Sequence, residues 1–210
     1  MQGKMQGDLA SIKGCQEDLI KALDFYEKST EYEHYREQEA AVVSLFKKYP
    51  KNDDLTSVLL KVCVLDSFYS INLRVHGIYK MAKHIHGLGL DKALQNGDVS
   101  AIERVANFTN SNGKQVNLYS FASKYCFHHN NEKYVIYDKY VNKSLCEFNG
   151  LSDDKGNSFK FIVSHLKDYE NLVKIIDDFR IFFNFKQYDN REIDHMLWVY
   201  GKEKDNKEKK

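Results

Sequence analysis

Asp138 and Lys124 are the residues whose types and spacing come nearest to a reaction centre. The run Ser120-Phe-Ala-Ser-Lys124-Tyr-Cys-Phe-His128-His129-Asn130 leads into Tyr134-Val-Ile-Tyr137-Asp138-Lys-Tyr-Val141. A carboxylate near an amine and imidazoles can do acid–base work or steady a developing positive charge. Ser120 and Lys124 are four residues apart and share one helix face. His128, His129, Tyr137 and Trp198 are candidates for the walls of the same pocket. Each has a plainer reading. An aspartate opening a helix caps its first N–H groups, and Lys124 could pair with it as a structural salt bridge. Trp198 could stack on a flipped base, or simply dock an amphipathic terminal helix.

A second set of residues suits phosphate rather than catalysis. Arg74, His76, Lys80, Lys83 and His84 surround Tyr79, and Lys114 lies in a polar loop further on. Cations interleaved with an aromatic ring suit nucleic acid, although many solvated helix faces look alike. Arg74, Lys80, Lys83 and Lys114 are therefore the candidate nucleic-acid-binding residues. Lys47-Lys48-Tyr49-Pro50-Lys51 and the terminal lysines are weaker candidates, the latter being interleaved with Glu203, Asp205 and Glu208. The eight histidines show no metal-ligand spacing, and no metal or cofactor is expected. A nucleophile elbow, a phosphate-binding glycine loop and a calcium-binding loop are all missing.

These residues need a scaffold, and the periodicity supplies helices. Ile12, Cys15, Leu19, Leu23 and Tyr26 predict a helix over 8–29, and a charged helix follows over 31–48, before Pro50. Asn52, Asp53 or Asp54 can cap the next helix, whose face is Leu55, Val58, Leu59, Val62, Leu65 and Tyr69. Ile71, Val75, Ile78, Ala82 and Ile85 mark another, closed by Gly87 and Gly89. Short helices are expected over 90–96 and 99–107, the latter with a Ser100-x-x-Glu103 capping box. Residues 109–116 and 150–158 read as loops, 117–129 as a helix, and Asp138 as the opening of another. Further stripes run through Leu166–Ile176 and Ile193–Tyr200, and Phe179–Phe185 is the one stretch that suits an extended strand.

The expected fold is all-α, a compact single domain of about ten helices over residues 1–203. An N-terminal helical pair at 8–48 packs on it, and 204–210 form a charged, disordered tail. The 210 residues carry 31 Lys and Arg against 30 Asp and Glu, a net charge of +1. No global positive field therefore exists, and any nucleic-acid face has to be a local patch. Four scattered cysteines without a C-x-x-C suit reduced thiols in a cytoplasmic protein. No apolar run approaches the ~18 residues of a membrane span, and the N-terminus lacks the apolar centre of a secretion signal.

Residues 50–203 resemble a family of uncharacterised bacterial proteins through Ser120-Phe-Ala-Ser-Lys-Tyr125, Ile136-Tyr-Asp-x-Tyr-Val141 and Leu197-Trp-x-Tyr-Gly-Lys202. That family carries no established activity. The pattern Ile136-Tyr-Asp138-x-x-Val141 also distantly resembles the helix-hairpin-helix base-excision DNA glycosylases. That resemblance implies a glycosylase-like helical fold, with double-stranded DNA as partner. Asp138 would then steady charge on the sugar or activate the nucleophile. The sequence departs from that family in two places. The glycine-rich hairpin is replaced by Asn112-Gly-Lys-Gln-Val-Asn117, and the position of a Schiff-base lysine is held by Ser120, with Lys124 one turn on.

Three functional readings follow. The first is a nucleic-acid-associated helical protein with a degenerate glycosylase-like architecture. The second is a non-catalytic accessory protein, for instance of a mobile element or a defence system. The third is a small-molecule enzyme using His128, His129 and Asp138 in an all-α pocket.

Overall fold

The computed structural model describes residues 2–209, with side chains from residue 12 onward. Met1 and the side chains of residues 2–11, where the expected lack of a secretion signal falls, lie outside the described residues. The chain is all-α, with ten α-helices and two small hairpins among the described residues. It divides into two compact units, residues 1–33 with 137–210, and residues 34–136. The expected N-terminal pair is divided too, its first helix in one unit and nearly all of its second in the other.

The first unit contains α1 (Gln2–Lys28), α8 (Lys139–Phe148), α9 (Tyr169–Phe182), α10 (Asn190–Glu208) and the β3–β4 hairpin (Leu151–Ser152, Ser158–Phe159). α10 packs against both α1 and α8. Its approach to α8 depends on a missing side chain: a Cβ on Gly201 would stand 2.4 Å from the Tyr140 carbonyl oxygen. Ser144 Oγ donates across the same contact to the Leu197 carbonyl at 2.6 Å. Residues 179–185 are not extended. α9 runs through Phe182 and closes at Asn184, in the left-handed conformation. Helical spacing lets Phe179 and Phe183 meet with ring centroids 4.8 Å apart, and Phe183 meets Phe148 at 5.2 Å. A strand would have left these two rings about 13 Å apart along one face.

The expected disordered tail is also corrected. α10 continues to Glu208 because Asp205, buried on this helix, is held by Lys139 and Lys209 at 2.8 Å and by Lys143 at 3.4 Å. Charged residues that pair with their own unit need not fray.

The second unit contains α2 (Glu33–Lys48), α3 (Leu55–Tyr69), α4 (Ile78–Gly87), α5 (Asp91–Asn96), α6 (Ser100–Ala106) and α7 (Tyr119–His129). α3 packs on α4, and α6 on α7. Of the candidate caps, Asp54 serves α3, accepting from Ser57 N at 2.8 Å. The capping box at Ser100 is replaced by Asp98, whose carboxylate takes Ser100 N at 2.9 Å. The polar loop expected at 109–116 is instead the turn of a hairpin, β1 (Asn107–Thr109) with β2 (Gln115–Asn117). Ser111 and Asn112 are the centre of the turn, Gly113 N donates to the Asn110 carbonyl at 2.9 Å with its own φ at +76°, and Asn110 Oδ1 accepts from Asn112 N and Lys114 N. The segment 150–158 likewise bends into β3 and β4.

Candidate nucleic-acid interface

α4 and the β1–β2 hairpin enclose an open cleft of about 600 Å³ in the second unit. Its walls are Tyr79, Lys80, Lys83 and His84 from α4, and Asn107, Phe108, Thr109 and Gln115 from the hairpin. Three contacts fix one wall against the other. Lys80 Nζ donates to the Asn110 carbonyl at 2.8 Å, Ser111 N to the His76 carbonyl at 2.9 Å, and the His84 ring lies 5.5 Å from that of Phe108. His84 Nε2 is also 2.9 Å from the Arg104 carbonyl. Gly77 makes the close approach possible. Its φ is +100°, and a Cβ there would meet Ser111 Oγ at 1.9 Å.

The rim is cationic and aromatic. Tyr79 is 57% exposed, and Lys83 Nζ lies 5.7 Å from its ring centroid. Arg74 sits on the 3-10 turn Leu73–Val75 just before α4, and Lys114 on the hairpin turn; both are exposed, and neither lines the cleft. Among the described residues, Arg74, Lys80, Lys83 and Lys114 form no ion pair. No Asp or Glu occurs between Asp66 and Asp91, or between Glu103 and Glu132, the two segments that supply the cleft. The second unit has thirteen Lys and Arg against nine Asp and Glu, and the first eighteen against twenty-one. The near-neutral chain is thus one unit of net +4 and one of net −3, a separation that the total charge conceals.

The residues expected around a reaction centre lie elsewhere. In the second unit, Lys124 is buried on α7, donates to Ser120 Oγ at 2.8 Å and sits 5.0 Å from the Tyr69 ring centroid. Tyr69 Oη is 2.9 Å from His128 Nε2. His129, next along α7, belongs to a separate buried group around Lys61. Lys61 Nζ donates to the Tyr49 carbonyl at 3.1 Å, and to the Lys51 carbonyl and Asn52 Oδ1 at 2.8 Å. His129 Nε2 is 3.4 Å from the same nitrogen. Tyr125 donates its hydroxyl to Asn52 Oδ1, and Asn52 donates to Asp91. Burial pushes Lys61 down to about 8, against the weaker pull of Asp91 and Asp53. Burial, then Lys61 and His128, push His129 down to about 3, so its ring is neutral at physiological pH.

In the first unit, Asp138 is half-buried and caps α8, its Oδ1 accepting from Tyr140 N at 2.8 Å and Val141 N at 2.9 Å. Tyr137 is half-buried, and desolvation raises its phenol. Trp198 faces Tyr32 and Tyr140 edge to face, with Lys202 Nζ 4.6 Å from its ring centroid. Asp138 and Trp198 thus have packing and capping roles within their own unit.

Sequence reasoning had no place for Asn107, Thr109 and Gln115, the hairpin side of the cleft. The signal was Asn112-Gly113 between residues of alternating polarity. It also missed Lys61. That residue lies three after Val58 and four before Leu65, on the apolar face of α3.

Fold and cleft together define a two-unit helical protein with a basic, aromatic-rimmed groove. The sequence model of a family described as HI_0787_N, N-terminal domain, matches residues 18–133, and the chain belongs to this family. It is 33% identical over 198 residues to an uncharacterized protein of Haemophilus influenzae, covering 90% of this chain and 91% of that protein. No solved structure matches the chain. No described helix is long and apolar enough to cross a membrane.

Proposed function

We propose that the protein is a nucleic-acid-associated protein that acts in the cytoplasm and grips a phosphate backbone along the α4–hairpin cleft. The observation that carries the reading is the cleft itself: Lys80, Lys83 and Tyr79 on a wall free of carboxylates, in the unit that holds the net positive charge. Arg74 and Lys114 extend the cationic surface beyond it. Cations without carboxylate partners release counterions when they meet phosphates, and this term supplies most sequence-independent affinity. The four free cysteines, one of them the exposed Cys63, suit a reducing compartment.

Binding rather than base excision is the function proposed. Asp138 Oδ1 is occupied in capping α8, and Lys124 is buried and bonded to Ser120, so neither supports a glycosylase role. The test is fluorescence anisotropy of labelled DNA and RNA with the purified protein at ~50 and ~200 mM salt. Micromolar or tighter binding that weakens steeply with salt is expected, and Asp138→Asn should bind as the natural protein does. Absence of binding at the lower salt would overturn the reading.

A further inference from the structure

From the cleft we infer that the nucleic acid it takes is single-stranded, with an unpaired base stacked on Tyr79 and the flanking phosphates on Lys80 and Lys83; this rests on the function proposed above.

Three observations separate a single strand from a duplex. The first is the ring. Tyr79 is 57% exposed, and every other Phe and Tyr of its unit is buried or half-buried. Its phenol is the open platform, and Lys83, one turn on, reaches over it at 5.7 Å. A base can stack there only when its own face is unstacked, and stacking is sequence-tolerant because every base has a π-face.

The second is the size and lining of the cleft. About 600 Å³ falls in the range of small-ligand sites, room for one nucleoside. The wall opposite Tyr79 presents the side chains of Asn107, Thr109 and Gln115. Gln115 Nε2 donates to Thr109 Oγ1 at 2.6 Å, and Asn107 Oδ1 accepts from Asn117 Nδ2 at 2.9 Å. Each amide retains a further donor or acceptor, which suits the hydrogen-bonding edge of an unpaired base.

The third is that α4 is not a bare helix. Lys80 is tied to Asn110 and His84 packs on Phe108, so the hairpin lies along its flank. The major groove of a duplex, about 12 Å wide, admits one helix or one two-stranded ribbon. The paired element is wider than either.

The test compares ~15-nucleotide dT and rU strands with a ~15-base-pair duplex by anisotropy, using the natural protein and Tyr79→Ala, Tyr79→Trp and Lys83→Gln. The single strands should bind more tightly than the duplex. Tyr79→Ala should weaken single-strand binding about 10-fold or more, and Tyr79→Trp should restore it. Lys83→Gln should lower the salt slope on the single strand by about 0.7. The dT and rU arms show whether DNA or RNA is preferred. A duplex bound as tightly as the single strands would overturn this inference and leave the nucleic-acid reading standing. So would single-strand binding indifferent to Tyr79→Ala in a variant with unchanged circular dichroism. Failure to bind any of the three probes would overturn both.

Discussion

Replacing Lys61 by Met tests whether the buried amine organises the second unit. Lys61 is fully buried, and its Nζ is the shared donor for the Tyr49 and Lys51 carbonyls and for Asn52 Oδ1. Methionine fills a similar volume and donates to none of them. Loss of a buried donor should cost about 1–3 kcal/mol at neutral pH. The charge leaves a second signature. Burial lowers the amine from its ordinary 10.5 to about 8. Between those values the unfolded chain holds a proton that the folded chain has shed, so stability should rise with pH across that window. At about 1.4 kcal/mol per pH unit of displacement the ceiling is near 3 kcal/mol. Relaxation and water penetration at the site reduce the expected rise to about 1–2 kcal/mol. Burial raises the phenols of Tyr125 and Tyr134, which keep their protons when folded and oppose the rise above pH 10. Both proteins share that opposition, so the difference between them isolates Lys61. Urea midpoints from pH 7 to 10.5 supply the assay. A Lys61→Met protein that kept the natural slope between pH 8 and 10 would refute the argument.

Other substitutions follow from contacts of the same kind. Gly201→Ala would drive a Cβ into the Tyr140 carbonyl and should destabilise the first unit by about 1–3 kcal/mol, read as a lower urea midpoint. Asp138→Ala should cost about 1 kcal/mol through loss of the α8 cap, while Asp138→Asn, itself a good cap, should be near neutral in the same unfolding measurement. His129, held neutral by burial, binds its proton only near pH 3 when folded and near 6.5 when unfolded. Stability should therefore fall as pH drops from 6.5, and His129→Gln should flatten that fall in thermal melts. Gly77→Ala would press on Ser111 and strain a φ of +100°. It should part the cleft walls and weaken oligonucleotide binding more than it lowers the melting temperature.

Helices were legible wherever one face was apolar. The stripe through Leu55, Val58, Val62 and Leu65 became α3, and Asp138 opened α8 as its residue type and position require. Three features were not legible, each for a physical reason. Phe179–Phe185 resembled a strand because aromatic runs satisfy both periods, and only the rings they meet select the helix. The charged C-terminus resembled a tail because the lysines that hold Asp205 include Lys139 and Lys143, more than sixty positions away in the chain. The hairpin at Asn107–Asn117 was hidden by short strands whose polarity alternates weakly. For the candidate site, Tyr79 and its neighbouring cations were visible as a pattern on one helix. The opposite wall was not, because contacts such as Lys80 to Asn110 join positions thirty residues apart. Lys124 and Asp138 drew attention by type, and the structure assigns them a hydrogen bond to Ser120 and a helix cap.

The central claim is that the cations around α4 and the hairpin meet phosphate. Its most direct test is the salt dependence of oligonucleotide binding in Arg74→Gln/Lys83→Gln/Lys114→Gln. None of these three side chains is ion-paired among the described residues, so the fold should survive their replacement. The affinity at low salt should drop, and the slope of log K against log salt should shrink by about 2 if all three reach phosphate. A variant that binds with the natural protein's affinity and slope would place the interface elsewhere and contradict the account.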